Sequence, residues 1–392
     1  MVSGDQKWTA RVALPVLDVG AMSGSSMLIS LAGAQALSVS GFGAFGIVFT
    51  MANLLLTLAQ GGLIDIILQN DESFFTPRRR LIEIRTFAIV LGSALTAPLI
   101  HEFRDDVSII ICSFTCMWLY VRHHVARAHL IAGGREITSL FTSLLLLVTC
   151  AVVCVASSVG WIAGSYGFGI SCFAALALPA VISGLSFIHR EGWAGTTVQR
   201  VWNLRYAAES LVLAGGVQLA ILIVAPVLGL DFMAGVRGAG LLLGPISMVQ
   251  SSLRLVLFPR LVQAGTRRRF LLRRASVQVA FGSAAWWAFA HIILLASGDA
   301  LLGESSAYVP EVLAWQGCSA VLQGLYLVGF LAARAAKLDM RVTVGRSFFL
   351  LGVAGGVIGA IVSGEMAPFF IGNIAGQILG TAYILGSPQL RV

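Results

Sequence analysis

A dozen long apolar segments follow one another along this 392-residue chain, and that series restricts the fold more than any single motif does. They lie near 15–38, 41–66, 83–100, 107–121, 137–158, 164–188, 206–229, 235–258, 276–297, 308–332, 345–363 and 367–386. Most reach the roughly 20 residues that a hydrocarbon layer about 30 Å thick requires of a helix. They are continuously apolar and lack the alternation of barrel strands, so helices are predicted. Only 11% of residues are charged against 57% apolar, and the mean hydropathy is +0.88. Soluble domains carry about 25% charge, and no soluble fold hides this much apolar surface. The predicted class is an all-α polytopic membrane protein of about 12 transmembrane helices.

Arginine placement predicts the orientation. With the N-terminus inside, one side collects Arg78, Arg79, Arg80, Arg122, Arg127, Arg135, Arg190, Arg200, Arg205, Arg260, Arg267, Arg268, Arg269, Arg334, Lys337, Arg341 and Arg346. The other side holds Glu102, Asp105, Asp106, Asp231, Asp299, Glu304, Glu311 and Glu365, with Arg104 and Arg237 as its only arginines. This asymmetry predicts cytoplasmic termini; the Arg- and Ala-rich composition points to a high-GC bacterial genome, and with it a bacterial plasma (inner) membrane location is expected. It also accounts for the net charge of +8 as a membrane-topology signal, so no nucleic-acid partner is expected. No cleavable signal peptide is expected, because the N-terminus runs directly into the first segment.

The chain carries no motif of covalent or metal chemistry. Cys112/Cys116 and Cys150/Cys154 are spaced i, i+4 inside apolar segments and are expected to be buried thiols. His123, His124 and His129 fall in a predicted inner loop without a completing carboxylate or thiol, and surface polarity is expected of them. Gly133–Gly134 is not followed by the Lys-Ser/Thr of a phosphate loop. Neither an enzyme nor a cofactor or metal is expected, and no catalytic residue is assigned.

Polar residues inside the spans carry the functional signal, since lipid penalises them and turns them towards a cavity or another helix. Gly43, Gly46, Thr50, Asn53, Thr57 and Gln60 step by three and four residues, a sector about 100° wide on a helix. Arg237, Gly240, Gly244, Ser247, Ser251 and Arg254 repeat the spacing in the eighth segment. Each stripe precedes an arginine triplet; the stripes are 194 residues apart and the triplets 189. Trp118-Leu119-Tyr120-Val121 before Arg122 likewise corresponds to Leu325-Tyr326-Leu327-Val328 before Arg334. Two six-helix lobes related as a parallel repeat are predicted, residues 1–195 and 196–392. The stripes suit either helix packing or a substrate-cavity lining. Gly244 and Pro245 supply a hinge. Asp18, near the inner end of the first segment, is a candidate coupling carboxylate or a solvated helix-end acid.

Residues 41–68 resemble the first-to-second-span region of polysaccharide (O-antigen/capsule) flippases in the multidrug/oligosaccharidyl-lipid/polysaccharide exporter superfamily. Gly41, Phe45 and Gly46 fill a Gly-x-x-x-[Phe/Tyr]-Gly pattern. Residues 237–260 look like the family's eighth span, with Leu-Gly-Pro and a terminal Pro-Arg. The basic loop 122–135 is similar too. The resemblance implies a flippase of polyprenyl-diphosphate-linked oligosaccharide that works with polysaccharide assembly machinery. On that reading Arg254 and Arg237 meet the diphosphate, since Arg offers bidentate hydrogen bonds and does not deprotonate. Asn53, Thr57, Gln60, Ser247, Gln250 and Ser251 would then bond sugars. The chain is short for the family, and its N-terminal stripe has no arginine. The alternatives are a cation-coupled multidrug exporter of the same superfamily, which needs a carboxylate deep in a lobe, and a membrane-embedded polymerase or glycosyltransferase.

Overall fold

The computed structural model describes residues 4–59, 107–132, 135–188, 215–263 and 268–387. Its described elements are helices: α1 (Gly4–Ala36), α2 (Val39–Ala59), α3 (Val107–Ala132), α4 (Glu136–Ser158), α5 (Gly164–Ile188), α6 (Gly216–Leu242), α7 (Gly244–Gln263), α8 (Arg268–Leu302), a 3-10 turn (Gly303–Tyr308), α9 (Val309–Ala335), α10 (Asp339–Ser363) and α11 (Ala367–Leu385). Eight stretches among them are long and apolar enough to cross a membrane. The predicted segment 83–100, Gln60 and Arg78, Arg79 and Arg80 lie outside the described residues.

The connections follow from local chemistry. Ser38 caps α2, its Oγ accepting from the Gly41 N–H at 3.2 Å. After α4, Trp161 N–H reaches Ala156 O and Gly160 N–H reaches Ser157 O, with Gly160 at φ +76°. That paired closure needs a left-handed residue, which glycine supplies without strain. The same closure ends α9 through Leu338 to Ala333 and Lys337 to Arg334, with Lys337 itself at φ +59°. After α7, Arg268 Nε donates to Leu261 O at 3.1 Å, so one arginine of the basic run satisfies an end carbonyl.

The chain divides into two compact units, Gly24–Leu222 and Ile223–Val392 with Met1–Ser23. The division falls inside α1 and α6. In the first unit, Met51, Ala52, Leu55 and Ala59 of α2 pack on Val121, Val125 and Ala128 of α3. Pro179 inside α5 has no N–H and leaves the Ala175 carbonyl without its helical donor. Thr149 of α4 supplies one, Oγ1 to O at 3.0 Å. Thr149→Val keeps the shape and removes that donor, so it should lower stability by about 1 kcal/mol, read as an earlier thermal unfolding midpoint.

In the second unit α10 and α11 approach backbone to backbone. A Cβ on Gly352 would stand 2.5 Å from Gly372 O and 2.5 Å from Gly376 Cα, and one on Gly372 2.5 Å from Gly352 O. The small-xxx-small pairs Gly352/Gly356 and Gly372/Gly376 thus form the crossing. Beside it, Ser319 of α9 accepts from Asn373 (3.1 Å) and Gln377 (3.0 Å) of α11, a buried polar cluster within apolar spans.

Several expectations change. The break between the seventh and eighth segments is short: Gly229 alone leaves helical geometry (φ 84°, ψ 175°) and separates the two helical stretches of α6. The eighth segment is interrupted: α6 ends at Leu242 and α7 begins at Gly244. Pro245 brings no N–H, and Ile246 N–H turns to Leu243 O at 3.0 Å. This frees the Leu242 carbonyl, which Trp286 Nε1 of α8 takes at 2.8 Å. The predicted inner loop with His123 and His124 is helix, because α3 continues to Ala132. His123 is buried there, not a surface residue, since that face packs inside the unit.

Candidate functional site

The first unit holds a partly open cavity of about 70 Å³, lined by residues of five helices. α1 contributes Ser25, Ser26 and Ile29; α2 Phe45, Val48, Phe49 and Ala52. α3 brings Cys116 and Tyr120, α4 Leu146 and Cys150, and α5 Cys172 and Leu176. Helical periodicity explains the α2 contribution. Phe45, Val48, Phe49 and Ala52 recur at three and four residues and share one face.

The aromatic side chains hold one another. Phe45 meets Phe168 edge-on at 5.3 Å and Phe49 at 5.9 Å, and Phe49 meets Tyr120 at 6.1 Å. Such pairs add about 0.5–1.5 kcal/mol beyond area burial and fix the rings as rigid walls. Tyr120 packs edge-on against His124 at 4.7 Å on its other side. Polarity in the lining is confined to Ser25, Ser26, the Tyr120 hydroxyl and three thiols. Ser26 Oγ and Tyr120 Oη lie 3.5 Å apart, the outer limit of a hydrogen bond. Among the described residues no Lys, Arg, Asp or Glu lines this cavity. Its described lining therefore offers dispersion, ring faces that attract cations, and a few hydroxyls.

The polar stripe of α2 occupies another face of that helix. Gly43, Gly46 and Thr50 are buried, and Asn53 and Thr57 half-buried; none of them lines the cavity. Thr50 Oγ1 donates to Gly46 O at 2.7 Å and Thr57 Oγ1 to Asn53 O at 2.8 Å. On α7, Ser247 and Ser251 are exposed, and Ser251 Oγ donates to Ser247 O at 2.9 Å. Gln250 is buried and donates from Nε2 to Ala320 O of α9 at 2.7 Å, a contact of helix packing. Arg237 is half-buried on α6. Arg254 falls on α7, with its side chain outside the described part, and Gln60 is outside altogether.

Asp18 differs from its solvated alternative. α1 begins at Gly4, so Asp18 stands about four turns inside the helix, and it is 2% exposed. Two residues on, Gly20 lies against Met248 of α7.

The thiols divide likewise. Cys150, Cys154 and Cys172 are buried, and Cys116 is half-buried. Among the described residues no group of His, Cys, Asp and Glu could hold a metal ion. Two groups emerge only in the structure: Phe45, Phe49 and Tyr120 as a cavity wall, and Ser319, Asn373 and Gln377 as a cluster. The second had a signal, Asn373 and Gln377 one helical turn apart in an apolar run. The first had only the repeated Leu-Tyr motif around Tyr120.

No protein-family model and no curated protein matches the sequence. Solved structures do. A multidrug resistance MATE family transporter of the MOP superfamily, in an inward-facing conformation, aligns over 95% of this chain and 93% of its own at TM-score 0.59 and 13% identity. A mutant of the Vibrio cholerae MATE transporter VcmN aligns over 99% and 98% at TM-score 0.60 and 15% identity. The eukaryotic MATE transporter AtDTX14 aligns over 97% and 95% at TM-score 0.58 and 15% identity. The alignment over nearly the whole of each chain means that this polytopic helical protein has the fold of the MATE transporters of the MOP superfamily.

Proposed function

We propose that the protein is a transporter that exports apolar, aromatic or weakly cationic molecules across the membrane. The observation that carries this reading is the chemistry of the cavity in Gly24–Leu222: three aromatic rings, aliphatic side chains and, among its described residues, no formal charge. The wall gives an aromatic guest rigid ring faces to contact, while the Ser26–Tyr120 edge orients one polar group. The fold shared with a multidrug resistance transporter supports the same assignment. It replaces the lipid-linked oligosaccharide flippase as the leading reading.

Asp18 supports coupling to a cation. An exporter of this kind needs a carboxylate away from bulk water, and burial supplies that at Asp18. With it go the lobes 1–195 and 196–392 and the cytoplasmic termini, both from the sequence symmetry and arginine asymmetry above. Arg237, half-buried within a span, favours a second reading in which anionic lipid-linked sugars are carried with Arg254, Asn53, Thr57, Gln60, Ser247, Gln250 and Ser251 as ligands.

Deleting the gene in its host separates the two. Under the export reading, sensitivity to cationic aromatic compounds rises and lipid-linked oligosaccharide stays level. Asp18→Asn fails to restore resistance although the purified variant still binds the compound. Accumulated lipid-linked oligosaccharide with loss of surface polymer, unrescued by Arg254→Ala, would instead establish the flippase.

A further inference from the structure

Two i, i+4 cysteine pairs stand out in the sequence, Cys112/Cys116 and Cys150/Cys154, and export of an aromatic molecule uses neither. Cys116 of α3, Cys150 of α4 and Cys172 of α5 all line the cavity of the first unit. Each is joined in the lining by the residue one helical turn away on its own helix: Tyr120 with Cys116, Leu146 with Cys150, and Leu176 with Cys172. Residues four apart share a helix face, so three helices turn a sulfur-bearing face to one space. Cys154 is buried outside that lining, and Cys318 is half-buried in the other unit.

The chemistry of that space narrows what the sulfurs can bind. Among the described residues no group of His, Cys, Asp and Glu could hold a metal ion, so the three thiols are not a chelate for a bare cation. The described lining has no charged side chain to neutralise an ion either. It suits a soft centre that needs one sulfur only and is neutral once bonded to it. An organomercury group is such a centre: its two-coordinate mercury bonds one carbon and one sulfur, and soft thiolates are the ligands it prefers. The cavity is compact, about 70 Å³, and partly open, which fits methylmercury with its two heavy atoms. Ile29, Val48 and the Phe45 and Phe49 rings offer the methyl group apolar contacts.

We propose that small organomercury compounds are substrates of this cavity, held through a sulfur–mercury bond to Cys116, Cys150 or Cys172. The inference rests on the export reading of the same cavity. The compound arrives as a complex with a low-molecular-weight thiol, and the step is a thiol exchange. The cavity S–H bond and the mercury–sulfur bond of the complex break, a cavity sulfur–mercury bond forms, and the proton goes to the departing sulfur. Nothing is oxidised or reduced. The cavity is neutral before and after, so an apolar lining does not oppose the step. The same exchange with a low-molecular-weight thiol on the far side releases the compound.

The test uses the purified full chain and methylmercury supplied as its glutathione complex, with glutathione in excess. Exchange between one plain thiol and another is nearly even, so an adduct that survives the excess reports what the lining adds. Native mass spectrometry should show that adduct on the native chain. It should fall at least about fourfold, the effect of one buried methyl group, in the triple variant Cys116→Ala, Cys150→Ala, Cys172→Ala. Cys154→Ala and Cys318→Ala should leave it intact. Cells making the native chain should hold less mercury than cells making the triple variant. An adduct that glutathione strips, one that the triple variant keeps, or equal mercury in the two sets of cells overturns the proposal. Where the triple variant fails to fold, anomalous diffraction from the native chain decides: mercury on one of the three lining sulfurs supports the site, and mercury on Cys154 or Cys318 alone overturns it. Ethidium efflux by the native chain separates the failures. Ethidium exported without methylmercury refutes this inference alone, and export of neither refutes the export reading with it.

Discussion

Gly352→Val should cost at least about 3 kcal/mol and remove most folded protein from a detergent extract. A Cβ at Gly352 meets Gly372 O and Gly376 Cα at 2.5 Å and Gly376 N at 2.7 Å. All three are backbone atoms, so no rotamer change makes room. The helices must separate, and the second unit then loses the dispersion contacts that hold helices together where lipid is as apolar as the side chains. Asn373 and Gln377, which donate to Ser319 of α9, are carried on α11 and would shift with it. Gly355 is the control. It lies three residues away with nothing within 4 Å of its Cβ position, so Gly355→Ala should be neutral or slightly stabilising. The thermal unfolding midpoint and the monodisperse fraction on size exclusion read both outcomes.

Phe49→Ala should weaken binding of an aromatic guest by about 30-fold, the effect of removing a central aromatic anchor. Phe49 lies between Phe45 and Tyr120 in the wall, so truncation removes a contact surface and frees both neighbouring rings. Tyr120→Phe keeps the ring and deletes only the hydroxyl near Ser26, and it should change the affinity little for a guest without a polar group. Affinity for the purified protein, measured by fluorescence quenching alongside each variant's unfolding midpoint, separates a binding loss from a folding loss. Equal affinities for Phe49→Ala and the native chain would remove the cavity from the transport route.

The transmembrane class and most helix positions are legible without coordinates, since an apolar run of about 20 residues has one stable solution in lipid. Glu136–Ser158, Gly164–Ile188, Asp339–Ser363 and Ala367–Leu385 fall where the apolar segments predict them. Boundaries were less legible. The break at Leu243 depends on Pro245, but a proline in an apolar run bends a helix in some settings and interrupts it in others. Here Trp286, 44 residues on, takes the freed carbonyl.

The site was hardest to foresee. Polar residues in a span announce themselves by their cost, so the stripes with Asn53, Thr57, Ser247 and Ser251 stand out in the sequence. Apolar cavity walls do not, because Phe45 and Phe49 read the same whether they line space or fill it. The helical membrane fold was within reach of hydropathy, whereas the flippase assignment leaned on loose motifs. The sequence by itself determined a membrane-spanning helical chain, for hydropathy is a local property summed along the chain. Only the tertiary structure decided that Asp18 is buried, that Gln250 binds Ala320, and that five helices leave a cavity. Each depends on which faces of distant helices meet, and no local pattern records that.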